Sequence, residues 1–222
     1  MPDVATKLDD LIAARHLRRG DIPHNRKKER KWSLDTLAGR LVEILSIAEP
    51  ARLTAAFKVV RDAQRQSDST VWITTTNSSF FPPDAAEGGV DLDSMPVVRL
   101  PLVDDIPRAA DTLIRSGAFG LVVMDLIGEV GRGAHIGRGA PARLTGLAKK
   151  HDTAVILLTG DPRDSGRLGP LVSLRAEASR GNKPFSFRGG RMGVIEIHII
   201  RDKLQAAGWR HTEPCCGPAG LR

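Results

Sequence analysis

Arginines in two polar loops are the residues of this chain best suited to binding chemistry. The first loop carries Arg132 and Arg138 among several glycines, and the second, from Asp161 to Pro170, carries Arg163 and Arg167. Guanidinium groups on flexible loops neutralise phosphates, and without aromatic neighbours they give affinity without base specificity. The two loops therefore predict contact with the backbone of a nucleic acid.

A third cationic segment lies nearer the C-terminus, where Lys183 and Arg188 flank Phe185 and Phe187. Aromatic rings beside cations can stack the bases of a single strand. Phenylalanines at alternate positions are more often one face of a half-buried β-strand. Both interpretations of this segment stay open.

No arrangement of residues typical of an enzyme or a metal site stands out. The histidines are scattered, and no serine lies in a nucleophile elbow. Cys215 and Cys216 are adjacent, so a bridge between them would be strained, and with His211 they do not supply the four ligands of a structural zinc site. We expect no metal, no cofactor and no catalytic activity.

The charge and composition indicate a globular protein with polyanionic partners. The chain has 222 residues, a net charge of +7 and a 41% hydrophobic content, which is enough for one substantial core. Basic residues are concentrated between Arg15 and Lys31 and between Arg163 and Arg191; such segments either contact phosphates or are simply solvated. No apolar run predicts a membrane span or a secretory signal, so we expect a cytoplasmic protein without membrane contact.

The elements that must position these residues alternate between strand and helix from Leu41 onward. Apolar runs at 41–45, 71–74, 97–100, 121–124 and 155–158 are separated by helical patterns at 51–66, 105–116 and 140–151. Uninterrupted apolar strands between helices predict an α/β fold with a mostly parallel twisted sheet covered on both faces. Two later runs, 171–176 and 194–200, predict antiparallel C-terminal strands.

The chain ends are predicted to be appendages of this core. Leu8, Leu11, Ile12 and Leu17 are spaced as on one face of a short helix, which must bury that face on its own core or on another chain. We assign residues 1–33 to this helix and a basic arm, 34–208 to the core domain, and 209–222 to a flexible tail.

The segment from Val42 to Ala55 resembles the phosphate-loop region of RecA recombinases, and the resemblance extends from about Leu41 to Gly208. Gly89-Val90-Asp91-Leu92-Asp93 looks like the element before the third RecA strand, and Leu121-Val122-Val123-Met124-Asp125 looks like the second metal-site strand. The resemblance implies a RecA-like core, with DNA-binding loops at the two arginine loops.

The nucleotide-binding residues of that family are replaced in this chain. Ser46 and Ala51 stand where the resemblance places loop glycines, Arg52 replaces the phosphate-binding lysine, and Leu53 replaces the hydroxyl that holds magnesium. Asp125 occupies the acidic metal-side position, whereas Thr76 stands where the family has its water-activating glutamate. The resemblance therefore implies a degenerate nucleotide site, with Asp125 as a vestigial acid.

Two degenerate branches of RecA-like proteins fit this pattern. The basic arm with Trp32, the segment 108–126 and the chain length are similar to the ImuA type, which is encoded with ImuB, an inactive relative of Y-family polymerases. This resemblance implies a non-catalytic accessory factor in DNA-damage-induced mutagenesis, in the SOS response and translesion synthesis. Its partners would be an ImuB-like protein, RecA and DNA without sequence specificity.

Two alternatives stay open beside that function. A chain similar to SulA would inhibit cell division by binding FtsZ. A chain that retained ATP binding would use Arg52 and Asp125. In the preferred function the helix of Leu8, Leu11, Ile12 and Leu17 is the docking element, because N-terminal segments join neighbouring subunits in RecA-family filaments.

Overall fold

A computed structural model gives the structure of most of the predicted core. It describes residues 30–46, 51–78, 80–126, 139–159, 170–187 and 190–215. The described residues from Lys31 onward belong to one compact unit. The predicted N-terminal helix, most of the basic arm and the four arginines of the two loops lie outside the described residues.

One eight-stranded sheet forms the centre of this unit, in the order β3-β2-β4-β5-β1-β6-β7-β8. The first six strands of that order run parallel, and β7 and β8 are antiparallel to their neighbours. The strand bounds are β1 (Leu41–Leu45), β2 (Thr70–Thr75), β3 (Val97–Leu100), β4 (Leu121–Asp125), β5 (Ala154–Leu158), β6 (Leu174–Phe187), β7 (Gly190–Asp202) and β8 (Arg210–Cys215).

Helices cover both faces of the parallel strands. They are α1 (Leu34–Leu37), α2 (Ala51–Arg65), α3 (Pro82–Glu87), α4 (Ile106–Arg115) and α5 (Ala140–His151), with a short 3₁₀ turn at Val103–Asp105. Leu41 and Val42 enter different apolar clusters because successive strand residues point to opposite faces. One cluster packs against α2 and the other against α4 and α5, so the predicted α/β sheet with helices on both faces is confirmed.

The antiparallel extension is longer than its apolar residues indicated. The polar stretch predicted to separate two short strands belongs to β6 and β7, which pair as far as Phe187 and Gly190. The backbones of Lys183, Phe185 and Phe187 therefore lie in a strand. Backbone pairing in an antiparallel hairpin does not need apolar side chains, which explains why the polar composition was misleading.

The predicted boundaries of the core also need correction at both ends. Trp32, which we assigned to the basic arm, is buried, and its indole Nε1 donates a 2.9 Å hydrogen bond to the Ala55 carbonyl. The predicted flexible tail was wrong for Arg210–Cys215, which form strand β8 against β7. Trp209, just before β8, packs partly against the core. None of the helices within the described ranges is long and apolar enough to cross a membrane.

Candidate functional site

The predicted site lies at the carboxyl edge of the parallel strands, where ligands of such sheets bind. Asp125 ends β4, and its side chain is completely buried. Thr74 on the neighbouring strand β2 donates a 3.1 Å hydrogen bond from its hydroxyl to Asp125 Oδ2. The acid is thus held by the sheet itself, at the position where the sequence placed a metal-side carboxylate.

Arg52 is the second residue of α2, the helix that follows β1. Burial lowers the pKa of its guanidinium below the ordinary value, and the negative charge of Asp125 opposes part of that lowering. Arginine nevertheless stays protonated in proteins, so the charge is permanent. Its Nε is buried and has no hydrogen-bond partner among the described residues. The structure therefore brings together Arg52 and Asp125, which are far apart in sequence.

The other replaced positions include the chain neighbours of Arg52. Ser46 follows β1 and is buried, and Ala51 begins α2 with 1% of its surface exposed. Leu53 packs against the apolar cluster beneath α2. The aliphatic side chain of Leu53 cannot ligate a cation. The hydroxyl of Thr76 donates a hydrogen bond to the Leu100 carbonyl.

Magnesium with a nucleotide is the group that a RecA-like fold implies, and these residues do not fit it. Leu53 supplies no oxygen, and the Arg52 guanidinium places a positive charge near Asp125. A second cation there would be repelled, and the described residues directly after β2, Thr76 to Ser78, include no carboxylate to activate water. Among the described residues, no cluster of three or more His, Cys, Asp or Glu side chains could hold a metal.

A buried ion pair that the sequence did not reveal lies beside this site. Glu43, in the middle of β1, is fully buried and accepts a 2.5 Å hydrogen bond from Arg175 Nε on β6. Thr159, just after β5, donates a second hydrogen bond of 3.2 Å. Burial raises the pKa of Glu43 above its ordinary value, although Arg175 and Thr159 act to lower it. A charged residue within an otherwise apolar strand was the available signal.

Most of the residues predicted to contact nucleic acid or a protein partner lie outside the described ranges. Arg132, Arg138, Arg163, Arg167 and Arg188 lie outside the described residues. Lys183 belongs to β6 by its backbone. The docking residues Leu8, Leu11, Ile12 and Leu17 also lie outside the described ranges. These assignments remain predictions.

Comparison with known proteins finds distant relatives that match most of this chain. Protein RecA of Rhodospirillum rubrum is 25% identical over 185 residues, which cover 77% of this chain and 50% of the relative. Protein RecA of Mycobacterium marinum is 29% identical over 189 residues, which cover 78% of this chain and 53% of the relative. The chain spans about half the length of these relatives. No protein-family model matches the chain.

A similar architecture is found in a solved structure described as the RadB recombinase. It superimposes with a TM-score of 0.56 at 16% sequence identity, covering 81% of this chain and 91% of that chain. At this identity the likeness concerns the fold. Together the comparisons establish distant homology to RecA and a RecA-like α/β fold.

Proposed function

We propose that this chain is a non-catalytic, RecA-like accessory factor in DNA-damage-induced mutagenesis. It would serve the SOS response and translesion synthesis by binding an ImuB-like relative of Y-family polymerases. The distant homology to RecA supports a role in DNA repair. The observation that carries the proposal is the electrostatic interaction of the half-buried Arg52 with Asp125, because it puts a fixed cation of the protein where magnesium chemistry would require a metal.

The lack of catalysis follows from what phosphoryl transfer requires. Hydrolysis of a nucleoside triphosphate needs phosphates held in a backbone cradle, a metal ion that neutralises developing charge and a group that orients water. Here Leu53 packs into the core and the Thr76 hydroxyl is bonded to backbone. The Arg52 charge already interacts favourably with Asp125. The sheet edge would therefore act as a scaffold whose loops bind other macromolecules.

DNA contact is the second component of the proposal. Arg132 and Arg138 follow β4 in the sequence, and Arg163 and Arg167 follow β5; both strands end at the edge of the sheet where Asp125 lies. The backbone of Lys183 lies in β6, and Arg188 follows that strand in the sequence. A set of cations on neighbouring loops would track a phosphate backbone without reading bases.

Protein partners are proposed to bind through the N-terminal segment. Leu8, Leu11, Ile12 and Leu17 would form the apolar face of a helix that docks on an ImuB-like protein or on RecA. Aspartates at positions 11 and 12 would place charge on that face and remove its apolar contacts. Asp9 and Asp10 belong to the same segment but not to the apolar set, so they offer a matched control.

The test is a pull-down of the tagged full chain from DNA-damaged cells, with prey identified by mass spectrometry. We expect recovery of an ImuB-like protein and RecA, retention of both by D9N/D10N and loss of both in L11D/I12D. Recovery of FtsZ alone would contradict the proposal and favour a SulA-like division inhibitor. Equal recovery by both double variants would remove the N-terminal helix from the docking model.

A further inference from the structure

A polar cavity of about 630 Å³ lies at the amino-terminal edge of the sheet, opposite the carboxyl-edge site. It is bounded by the last turns of α2, the start of β2 and the loop from Gly89 to Ser94. Its volume is within the range of small-molecule sites. Its walls carry guanidinium, carboxylate and hydroxyl groups, so a ligand would be recognised by charge and hydrogen bonds.

Two arginines supply the positive charge of this cavity. Arg61 and Arg65 are four residues apart on α2, so they project from the same side of the helix. Neither side chain forms an ion pair or hydrogen bond with another residue in the described part of the chain. Two neighbouring guanidinium groups without a carboxylate partner are suited to a phosphate, which they can bind with several donors.

Gly89 positions the first of these guanidinium groups. A Cβ at residue 89 would lie 3.2 Å from Arg61 Nε and 3.3 Å from its Cδ, and Gly89 has a φ of +83°. The Arg61 side chain therefore lies along backbone that only glycine accommodates well. Arg61 packs against this backbone and has no counter-ion among the residues that the structure describes, so its donors can serve a ligand.

The wall between the arginines and the loop is fixed by hydrogen bonds. Gln64 donates to the Asp91 carbonyl at 2.7 Å and accepts from the Asp91 amide at 2.9 Å. The same Nε2 donates to Ser94 Oγ at 3.1 Å. This network ties α2 to the loop on the other side of the cavity, which keeps the shape of the site independent of a ligand.

The carboxylates of the cavity restrict which anions fit. Asp68 lies against Gly120, where an added Cβ would be 2.2 Å from both carboxylate oxygens. Asp91 Oδ1 accepts a 3.1 Å hydrogen bond from the Asp93 amide. These acids would repel an extended polyanion such as DNA, but they can accept hydrogen bonds from sugar hydroxyls. A single phosphate attached to a hydroxyl-rich group would match both the arginines and the aspartates of the cavity.

We infer that this cavity binds a phosphomonoester of a polyhydroxylated small molecule, with the phosphate between Arg61 and Arg65 and the hydroxyls toward Asp68 and Asp91. A sugar phosphate and a nucleoside monophosphate share this chemistry. The site is independent of the proposed role in mutagenesis, because none of its residues belongs to the carboxyl-edge site or the arginine loops.

Calorimetric titration of the full chain with ribose 5-phosphate, adenosine monophosphate, ribose and inorganic phosphate tests the inference. We expect at least one phosphomonoester to bind at least about tenfold more tightly than ribose or inorganic phosphate, because each lacks one half of the recognised group. R61Q and R65Q should each weaken that binding about tenfold or more. R108Q, which removes an exposed arginine of α4, should leave it unchanged.

The ligand that binds more tightly identifies the source of the phosphate: ribose 5-phosphate indicates a sugar phosphate, and adenosine monophosphate indicates a nucleotide. Absence of binding by both phosphomonoesters would overturn the inference. So would equal affinity for inorganic phosphate, or affinity unchanged in R61Q. Binding of a single-stranded oligonucleotide that is lost in R61Q, without phosphomonoester binding, would replace the inference with a nucleic-acid contact.

Discussion

The Lys58 ammonium group on α2 donates a 2.7 Å hydrogen bond to Glu213 Oε1 on β8. It also donates a 3.1 Å hydrogen bond to the Pro214 carbonyl. His211 Nε2 lies 3.4 Å from the second oxygen of Glu213. Because α2 also carries Arg52 at its first turn, the last described strand and the carboxyl-edge site are attached to the same helix. The C-terminal strand is therefore part of the core, and its attachment should depend on pH.

Glu213 should contribute to stability only above acidic pH. The His211 hydrogen bond and Lys58 lower the pKa of Glu213 from 4.5 to about 2. A carboxylate with a lowered pKa stabilises the fold above its unfolded pKa, and this contribution is lost as the pH falls from 4.5 toward 2. The side chain is 34% exposed, so solvent screening keeps the expected contribution to about 1 kcal/mol.

Urea unfolding of the wild type and E213Q at several pH values measures this effect. We expect the wild type to be more stable near neutral pH and the difference to shrink as the pH decreases. D93N, which changes an exposed carboxylate, is the control and should show a smaller difference at neutral pH. A difference between wild type and E213Q that grows in acid would contradict the assignment.

Removing one member of the Glu43–Arg175 ion pair should lower the free energy of unfolding strongly, whereas replacing both side chains together should lower it little. E43L removes the carboxylate that pairs with the Arg175 guanidinium, whose side chain is only 15% exposed. We expect E43L and R175M each to lower the free energy of unfolding by about 3 kcal/mol. The double variant E43L/R175M should recover most of that loss, since it also removes the desolvation that raises the pKa of Glu43.

Chemical denaturation of the four proteins gives the coupling energy of the pair. The pH dependence supplies a second readout. Since the pKa of Glu43 is raised, its titration favours folding below pH 4.5 and opposes it as the pH rises through the folded value. Single variants whose stability losses simply add in the double variant would show that the two side chains are not coupled.

Restoring two phosphate-loop residues should not restore hydrolysis. R52K/L53T returns an ammonium group and a hydroxyl to the first turn of α2, but Ser46 and Ala51 remain, and Thr76 still lacks a carboxylate. We expect phosphate release from ATP with magnesium to stay at background in the wild type and in the variant. Circular dichroism of R52K/L53T checks its fold, and hydrolysis by either protein would show that the site is catalytic.

Charge reversal of the loop arginines should weaken DNA binding and its salt dependence. R132E/R138E/R163E/R167E removes four candidate phosphate contacts, so affinity for a single-stranded oligonucleotide should fall at least about a hundredfold, with a shallower salt slope. R108E/K149E/K150E/K203E reverses the same number of charges at exposed positions outside these loops. Equal losses in both quadruple variants would indicate that only the net charge matters.

The sequence predicted the parallel core well, because its strands are mainly apolar runs between helical patterns. The sequence did not predict β8, because an edge strand needs only backbone pairing with its neighbour. The Glu213 side chain of β8 also pairs with Lys58, which is 155 residues away in the sequence. The sequence also did not identify the ion-pair partner of Glu43. Arg175 is 132 residues away and becomes its neighbour only because β6 pairs with β1 in the sheet.

The sequence by itself determined which side chains are present at the degenerate nucleotide site, including Arg52, Leu53 and Thr76. Only the tertiary structure decided that the Arg52 charge lies within reach of Asp125, and that Thr74 holds that acid. The physical reason is that residue types are local, whereas electrostatic partnership depends on distance and burial. These are fixed when the strands assemble in one order and exclude water from the edge between them.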